Sequence, residues 1–214
     1  MVSGQVRIKF FKIGDLKFIS HLDLCRTLRG AFNRAGVPIK YSEGFNPHPK
    51  MVFTQPLSIG VESISEYVDI PFTEERDPEA LKEAINAQLP ALLQVVEIYP
   101  KGRELHEVAT ADYRFRFADC KKDELEAALS GSLEIEKKSK KGMIMVDLKE
   151  RLRGYTVYET AQGTELFIRM DAGQTSFVNP EHLVRAIEAN LKRELIEYTI
   201  MKETCYLEDG TVFR

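Results

Sequence analysis

The order in which apolar spacing changes along the 214-residue chain constrains its fold more than any single motif does. Val6, Ile8 and Phe10 alternate with Arg7, Lys9 and Phe11, the period of two that puts one face of a strand into a core, so a first strand is expected at 5–13. Ser20 followed by Asp23 reads as a helix cap, after which Leu22, Cys25, Leu28 and Phe32 recur at helical spacing. Gly36 suits the left-handed position that ends a helix, and Pro38 cannot continue one. Extended structure is expected again at 37–41, and strands at 51–59 and 66–73 about a turn containing Gly60. A second helix then starts at Asp77 and Pro78 and stops before Pro90, and a fourth strand follows at 92–99.

This order, β-α-β-β-α-β, is the split βαβ plan of ferredoxin-like domains, with two helices over one face of an antiparallel sheet. Beyond residue 105 it recurs: a strand at 112–118, a helix at 122–129, strands near 133–138, 143–148 and 165–170, a helix at 180–192 and a strand at 196–206. The expected fold class is therefore α+β, built from two tandem ferredoxin-like halves with antiparallel sheets and helices on one face. The expected domains are 1–105, carrying a GFNPHPK loop, and 106–214, carrying an inserted hairpin.

With 43% hydrophobic and 29% charged residues the chain can bury a core and keep a solvated surface. No apolar run approaches the roughly 18 residues that span a bilayer, and the first residues lack a secretory apolar segment, so the expected location is the cytoplasm, with no membrane. Cys25, Cys120 and Cys205 form no C-x-x-C pair, which argues against a disulfide framework or a self-contained metal site. Phosphate-loop, dinucleotide, nucleophile-elbow and zinc-protease motifs are missing, as is routine for an accessory or binding module.

Net charge is −3, yet residues 1–50 hold nine Lys and Arg against three Asp and Glu. Within that block, His21 sits in the first turn of a helix near free backbone N–H groups, a place suited to an anion such as phosphate. Lys17, Arg26, Arg29 and Lys50 are its expected charge-assisted partners. The segment YSEGFNPHPK at 41–50 reads as a rigid loop, since Pro47 and Pro49 bracket His48 and Gly44 permits unusual backbone angles. The expected binding surface is Lys17, His21, Arg26, Arg29, Asn46, His48 and Lys50. Two plainer readings stand beside it: the loop as a mere connection whose Phe45 fills the core, and His21 as a surface cap. A sharper one makes His21 and His48 a general acid–base pair. Metal ligation by His21, Asp23 and His48 requires the loop to fold over the helix start in a region already positive, and no metal is expected. The lysine-rich run at 137–142 reads as a solvated hairpin tip.

Three runs, KIGDLKFISHLD at 12–23, RAGVP at 34–38 and YSEGFNPHPK at 41–50, followed by PLSIGVE at 56–62 and EYVDI at 66–70, closely resemble the radical-SAM-linked family of uncharacterised bacterial proteins. Members of that family are encoded beside, or fused to the C-terminal side of, a radical-SAM enzyme with a cobalamin (B12)-binding-type region. The resemblance implies partnership with such an enzyme. S-adenosylmethionine and an iron–sulfur cluster would belong to that partner, and no cofactor is expected in this chain. Neighbouring ribonuclease and ribosomal-protein genes in that family point to RNA or ribosome maturation. At the level of fold alone, tandem ferredoxin-like halves with an early histidine are similar to CRISPR repeat-processing endoribonucleases, although the usual glycine-rich loop near the C-terminus is missing here. The expected function is an accessory, RNA-binding and substrate-presenting module, not catalytic by itself. The alternatives are a metal-independent endoribonuclease using His21 and His48, and a protein-only adaptor.

Overall fold

The computed structural model describes residues 1–139 and 142–214. The first part of the chain forms β1 (Val2–Lys12), α1 (His21–Arg34), β2 (Val52–Phe53), β3 (Val61–Arg76), α2 (Pro78–Asn86) and β4 (Leu93–Pro100). The second forms β5 (Thr110–Phe117), α3 (Lys122–Ser130), β6 (Glu134–Ser139), β7 (Gly142–Asp147), β8 (Leu152–Thr160), β9 (Gly163–Asp171), α4 (Pro180–Leu191) and β10 (Tyr198–Tyr206). The caps form where the residue types demand them. Ser20 accepts the Asp23 amide at 3.1 Å, Asp77 the Ala80 amide at 2.8 Å and Asn179 the Glu181 amide at 3.1 Å. Gly36 takes φ +65° just past α1.

The fold is mixed α+β with a large, mostly antiparallel sheet and four helices among the described residues. The sequence suggests separate sheets, whereas one sheet runs β4-β1-β3-β10-β5-β9-β8, with β2 added to β3 and β6-β7 as a detached hairpin. The join is a short parallel ladder in which Val61, Glu62 and Ser63 of β3 face Ile200, Met201 and Lys202 of β10. One expected strand shortens, and one strand forms where none is expected. The strand at 51–59 shrinks to Val52–Phe53, because Pro56 has no N–H to donate and restricts Gln55 before it. Strand β8 has no alternating apolar signal, since Val157 is its one fully buried residue at the sheet edge. Of the lysine-rich tip, Lys140 and Lys141 lie outside the described residues.

Two hydrophobic cores result. Val6, Ile8 and Phe10 pack with Leu28 and Phe32 of α1 and Ile85 of α2, while Tyr113, Phe115 and Phe117 pack with Leu129 of α3 and Ile187 of α4. Cross-strand partners share a face, so the row Lys12–Ser63–Lys202–Tyr113 carries the helix-facing side of β1 through β3 and β10 to β5. All four helices therefore cover one face. That row is polar and dry at the seam: Lys12, Ser63 and Lys202 are buried, and Lys202 is ion-paired with buried Glu66. On the opposite face of β1, Arg7 is fully buried and holds Asp69 through two hydrogen bonds of 2.7 and 2.9 Å.

Candidate functional site

Residue His21 is the first of α1, and its ring stands edge-on to Phe53 of β2 at 5.0 Å, so the two-residue strand docks beside the helix start. Its Nε2 lies 3.5 Å from Cys25 Sγ one turn on. Burial pushes the Cys25 thiol up, away from the thiolate form that reacts. The expected anion cradle at this helix start is largely filled by the chain itself. The Ser20 hydroxyl donates to Asp23 Oδ2 at 2.7 Å, and Arg26 Nη1 donates to Asp23 Oδ1 at 3.1 Å. Those bonds, Ser20's first and Arg26's second, hold the Asp23 carboxyl below its ordinary range, so an anion already sits in the first turn. Arg26 is thereby tethered, whereas the exposed Arg29 side chain has no hydrogen-bond or ion-pair partner among the described residues.

The 41–50 loop is rigid for reasons visible in its composition. Tyr41 bridges to Pro49, the Ser42 amide donates to the His48 carbonyl at 2.9 Å, and the His48 amide donates to Ser42 Oγ at 3.1 Å. Gly44 takes φ +122°, a backbone angle that favours glycine. The Tyr41 hydroxyl donates to Asn33 Oδ1 at 2.8 Å, which ties the loop base to the C-terminal end of α1. At the tip, Phe45 is 110% exposed; it fills no core. Asn46, His48 and Lys50 are exposed beside it.

The two histidines do not share a contact. His21 meets Cys25 and Phe53, while His48 Nδ1 meets Ser42 Oγ at 3.0 Å and the Asn46 carbonyl at 3.4 Å. His21 begins α1, and the loop is tied to Asn33 twelve residues on, a helical rise of about 18 Å. His21 and His48 are therefore not placed to trade a proton with each other, and among the described residues no three His, Cys, Asp or Glu side chains group as a metal requires. Two of the nine N-terminal cations are also absent from the surface. Arg7 is sealed against Asp69, and Lys12 is buried near Glu66, its pKa lowered by burial in spite of that carboxylate.

Residues 5–197 match, in a single span, a family described as an uncharacterized protein conserved in bacteria, DUF2344. The chain belongs to that family. No curated protein matches it. The DUF2344 span takes in most of both hydrophobic cores and every candidate binding residue, and stops just before β10, the strand that carries one side of the seam.

What this DUF2344 chain presents at its N-terminal half is thus a set of exposed cations and one exposed aromatic tip. Lys17 is half-buried, with its Nζ 5.3 Å from the Phe18 ring, and its carbonyl accepts the Gly60 amide at 3.0 Å. Phe18, Leu22, Val52 and Ile59 are also exposed. Sequence reasoning passed over Phe53, and it passed over the arginines of the second half, because an isolated aromatic or arginine in a strand carries no local signal of what lies opposite it. No helix among the described residues is long and apolar enough to cross a membrane.

Proposed function

We propose that this protein is a non-catalytic accessory module that binds single-stranded RNA and presents it to a radical-SAM enzyme in the cytoplasm, with Lys17, His21, Arg26, Arg29, Asn46, His48 and Lys50 as its contact surface. The observation that carries the reading is Phe45, fully exposed at the tip of a loop held rigid by its own hydrogen bonds and flanked by Asn46, His48 and Lys50. A rigid, solvent-facing aromatic beside hydrogen-bonding side chains and a lysine is an arrangement on which a base stacks while the backbone is neutralised. The enzyme partner rests on the resemblance of the runs at 12–23, 34–38 and 41–50 to the radical-SAM-linked family, and the iron–sulfur cluster and S-adenosylmethionine belong to that partner. The strand orders β4-β1-β3-β2 and β10-β5-β9-β8 support the further reading of the halves 1–105 and 106–214 as tandem ferredoxin-like copies.

The test is filter binding of a mixed-sequence single-stranded RNA across a potassium chloride series. The expected result is a linear log–log fall in affinity, a shallower slope for Arg29→Glu and Lys50→Glu, and a loss of about five- to hundredfold for Phe45→Ala. Affinity that ignores salt, or that survives all three substitutions, sinks the reading. The exposed aliphatics Leu22, Val52 and Ile59 favour one second reading, a protein-only adaptor that docks the partner enzyme directly. Co-purification of a radical-SAM enzyme that survives nuclease treatment, with no RNA recovered, selects it over RNA presentation.

A further inference from the structure

The sheet face away from the helices is uncovered in the second half. Along β5, Asp112, Arg114 and Arg116 alternate with the buried aromatics, and along β9, Glu165, Phe167 and Arg169 alternate with buried Leu166, Ile168 and Met170. Each arginine on this face has a carboxylate. Arg169 grips Asp112 at 2.7 and 3.1 Å, with the Tyr206 hydroxyl donating to the same carboxylate at 2.7 Å. Arg114 meets Glu203 at 2.9 Å, and Arg116 meets Glu165 at 2.7 Å. At the outer strand the register of β8 slips between Leu152 and Tyr155, where Gly154 takes φ +119°. The slip opens a hollow of about 310 Å³ lined by Phe167, Arg153, Tyr155, Thr156, Arg169 and Glu203. The Phe167 ring is steadied by Tyr158 edge-on at 5.8 Å and by the Arg114 guanidinium at 5.9 Å.

We infer that this hollow receives a single nucleobase of single-stranded RNA, stacked on Phe167, an inference that rests on the RNA-binding reading above. The chemistry of the lining selects that occupant. Its arginines are already matched by carboxylates, so the hollow attracts no phosphate and repels no neutral ligand. It joins an aromatic surface to donors (Arg153, Arg169, Thr156) and acceptors (Glu203, Thr156), the combination a flat, neutral ring with both donors and acceptors on its rim satisfies. Its volume lies at the small end of ligand sites and cannot admit a duplex. The prepaired arginines hold their geometry before the ligand arrives, which lowers the ordering cost of binding. RNA thus meets two surfaces of different character: a cationic, salt-sensitive one on the first half and a charge-balanced, base-stacking one on the second.

The deciding experiment binds the full chain to single-stranded RNA carrying 4-thiouridine, with photo-crosslinks mapped by mass spectrometry. Crosslinks on peptides spanning 153–169 are expected. Phe167→Ala is expected to weaken binding about five- to hundredfold with the salt slope unchanged, and Phe167→Trp to restore it. Should Phe167→Ala fail to fold, Tyr155→Ala on the exposed rim gives the same readout. If RNA still binds with its salt slope intact but Phe167→Ala matches the wild type, or crosslinks stay within 17–50, the base hollow is wrong and the accessory reading stands. If the wild type binds no RNA at low salt, both fall.

Discussion

One interaction, an arginine holding an aspartate from the neighbouring strand on the face away from the helices, occurs in both halves and means different things in each. In the first half, Arg7 and Asp69 are sealed. Phe213 packs under the guanidinium at 4.6 Å, and the main-chain oxygens of Arg103 and Arg214 accept further hydrogen bonds at 2.6 and 3.3 Å. In the second half, Arg169 and Asp112 keep about a third of their side chains in solvent, and Tyr206 stacks on the guanidinium at 3.6 Å. The first pair cannot be reached by any ligand and must be complete, because buried donors without partners are costly. The second can exchange partners with water or with a bound molecule at little cost. Residue pairing alone does not separate structure from function; what covers the pair does.

The substitution that strains this contrast hardest is Asp69→Ala, which leaves Arg7 charged and dry. A loss of about 3–5 kcal/mol in urea unfolding is expected, and a loss under about 1 kcal/mol would show that the seal is leaky. Next comes Lys202→Met at the seam, expected to cost about 3 kcal/mol, toward the lower end of that range because buried Lys12 remains near Glu66. Burial alone would lower the Lys202 pKa, but the Glu66 carboxylate, with Cys205 and Tyr113, raises it above its ordinary 10.5. A raised base stabilises the fold below the unfolded value and loses that contribution as pH climbs toward the folded one. Above pH 10.5, stability should therefore fall with a slope smaller by about 1.4 kcal/mol per pH unit in Lys202→Met than in the wild type. Equal slopes in denaturant titrations at alkaline pH would overturn the assignment.

Smaller effects sharpen the same comparison. Ser20→Ala removes the α1 cap and is expected to cost about 1 kcal/mol while freeing the Asp23 amide, a change that hydrogen exchange at the first turn detects. Asp112→Ala, the open-face counterpart of Asp69→Ala, is expected to cost less than about 1 kcal/mol. If thermal melts place the two aspartate variants side by side, the distinction between covered and open faces fails.

Much of the fold was legible because apolar periodicity is local. Val6, Ile8 and Phe10 identify β1, the caps Ser20, Asp77 and Asn179 locate three helix starts, and the inserted hairpin appears as an extra pair of strands before α4. Strand β8 stayed hidden, since an edge strand with one buried residue has no period to read. The candidate surface was legible as a charge block, but not its true membership. Arg7 and Lys12 look no different in sequence from Lys17 or Lys50, and only partners distant in the chain, Asp69 and Glu66, take them inside. Phe45 shows the converse: its composition fits a plug as well as a tip, and only the Ser42–His48 bonds turn it outward.

By itself, then, the sequence determined the elements, their order and their caps, because each depends on residues within a turn or a strand of one another. Tertiary structure decided that the strands join in a single sheet, that His21 and His48 part to separate ends of α1, and which arginines are structural. Those outcomes rest on contacts between residues far apart in the chain, from Val61 against Ile200 to Arg7 against Phe213, and no local pattern encodes what will lie opposite a side chain once the chain has folded.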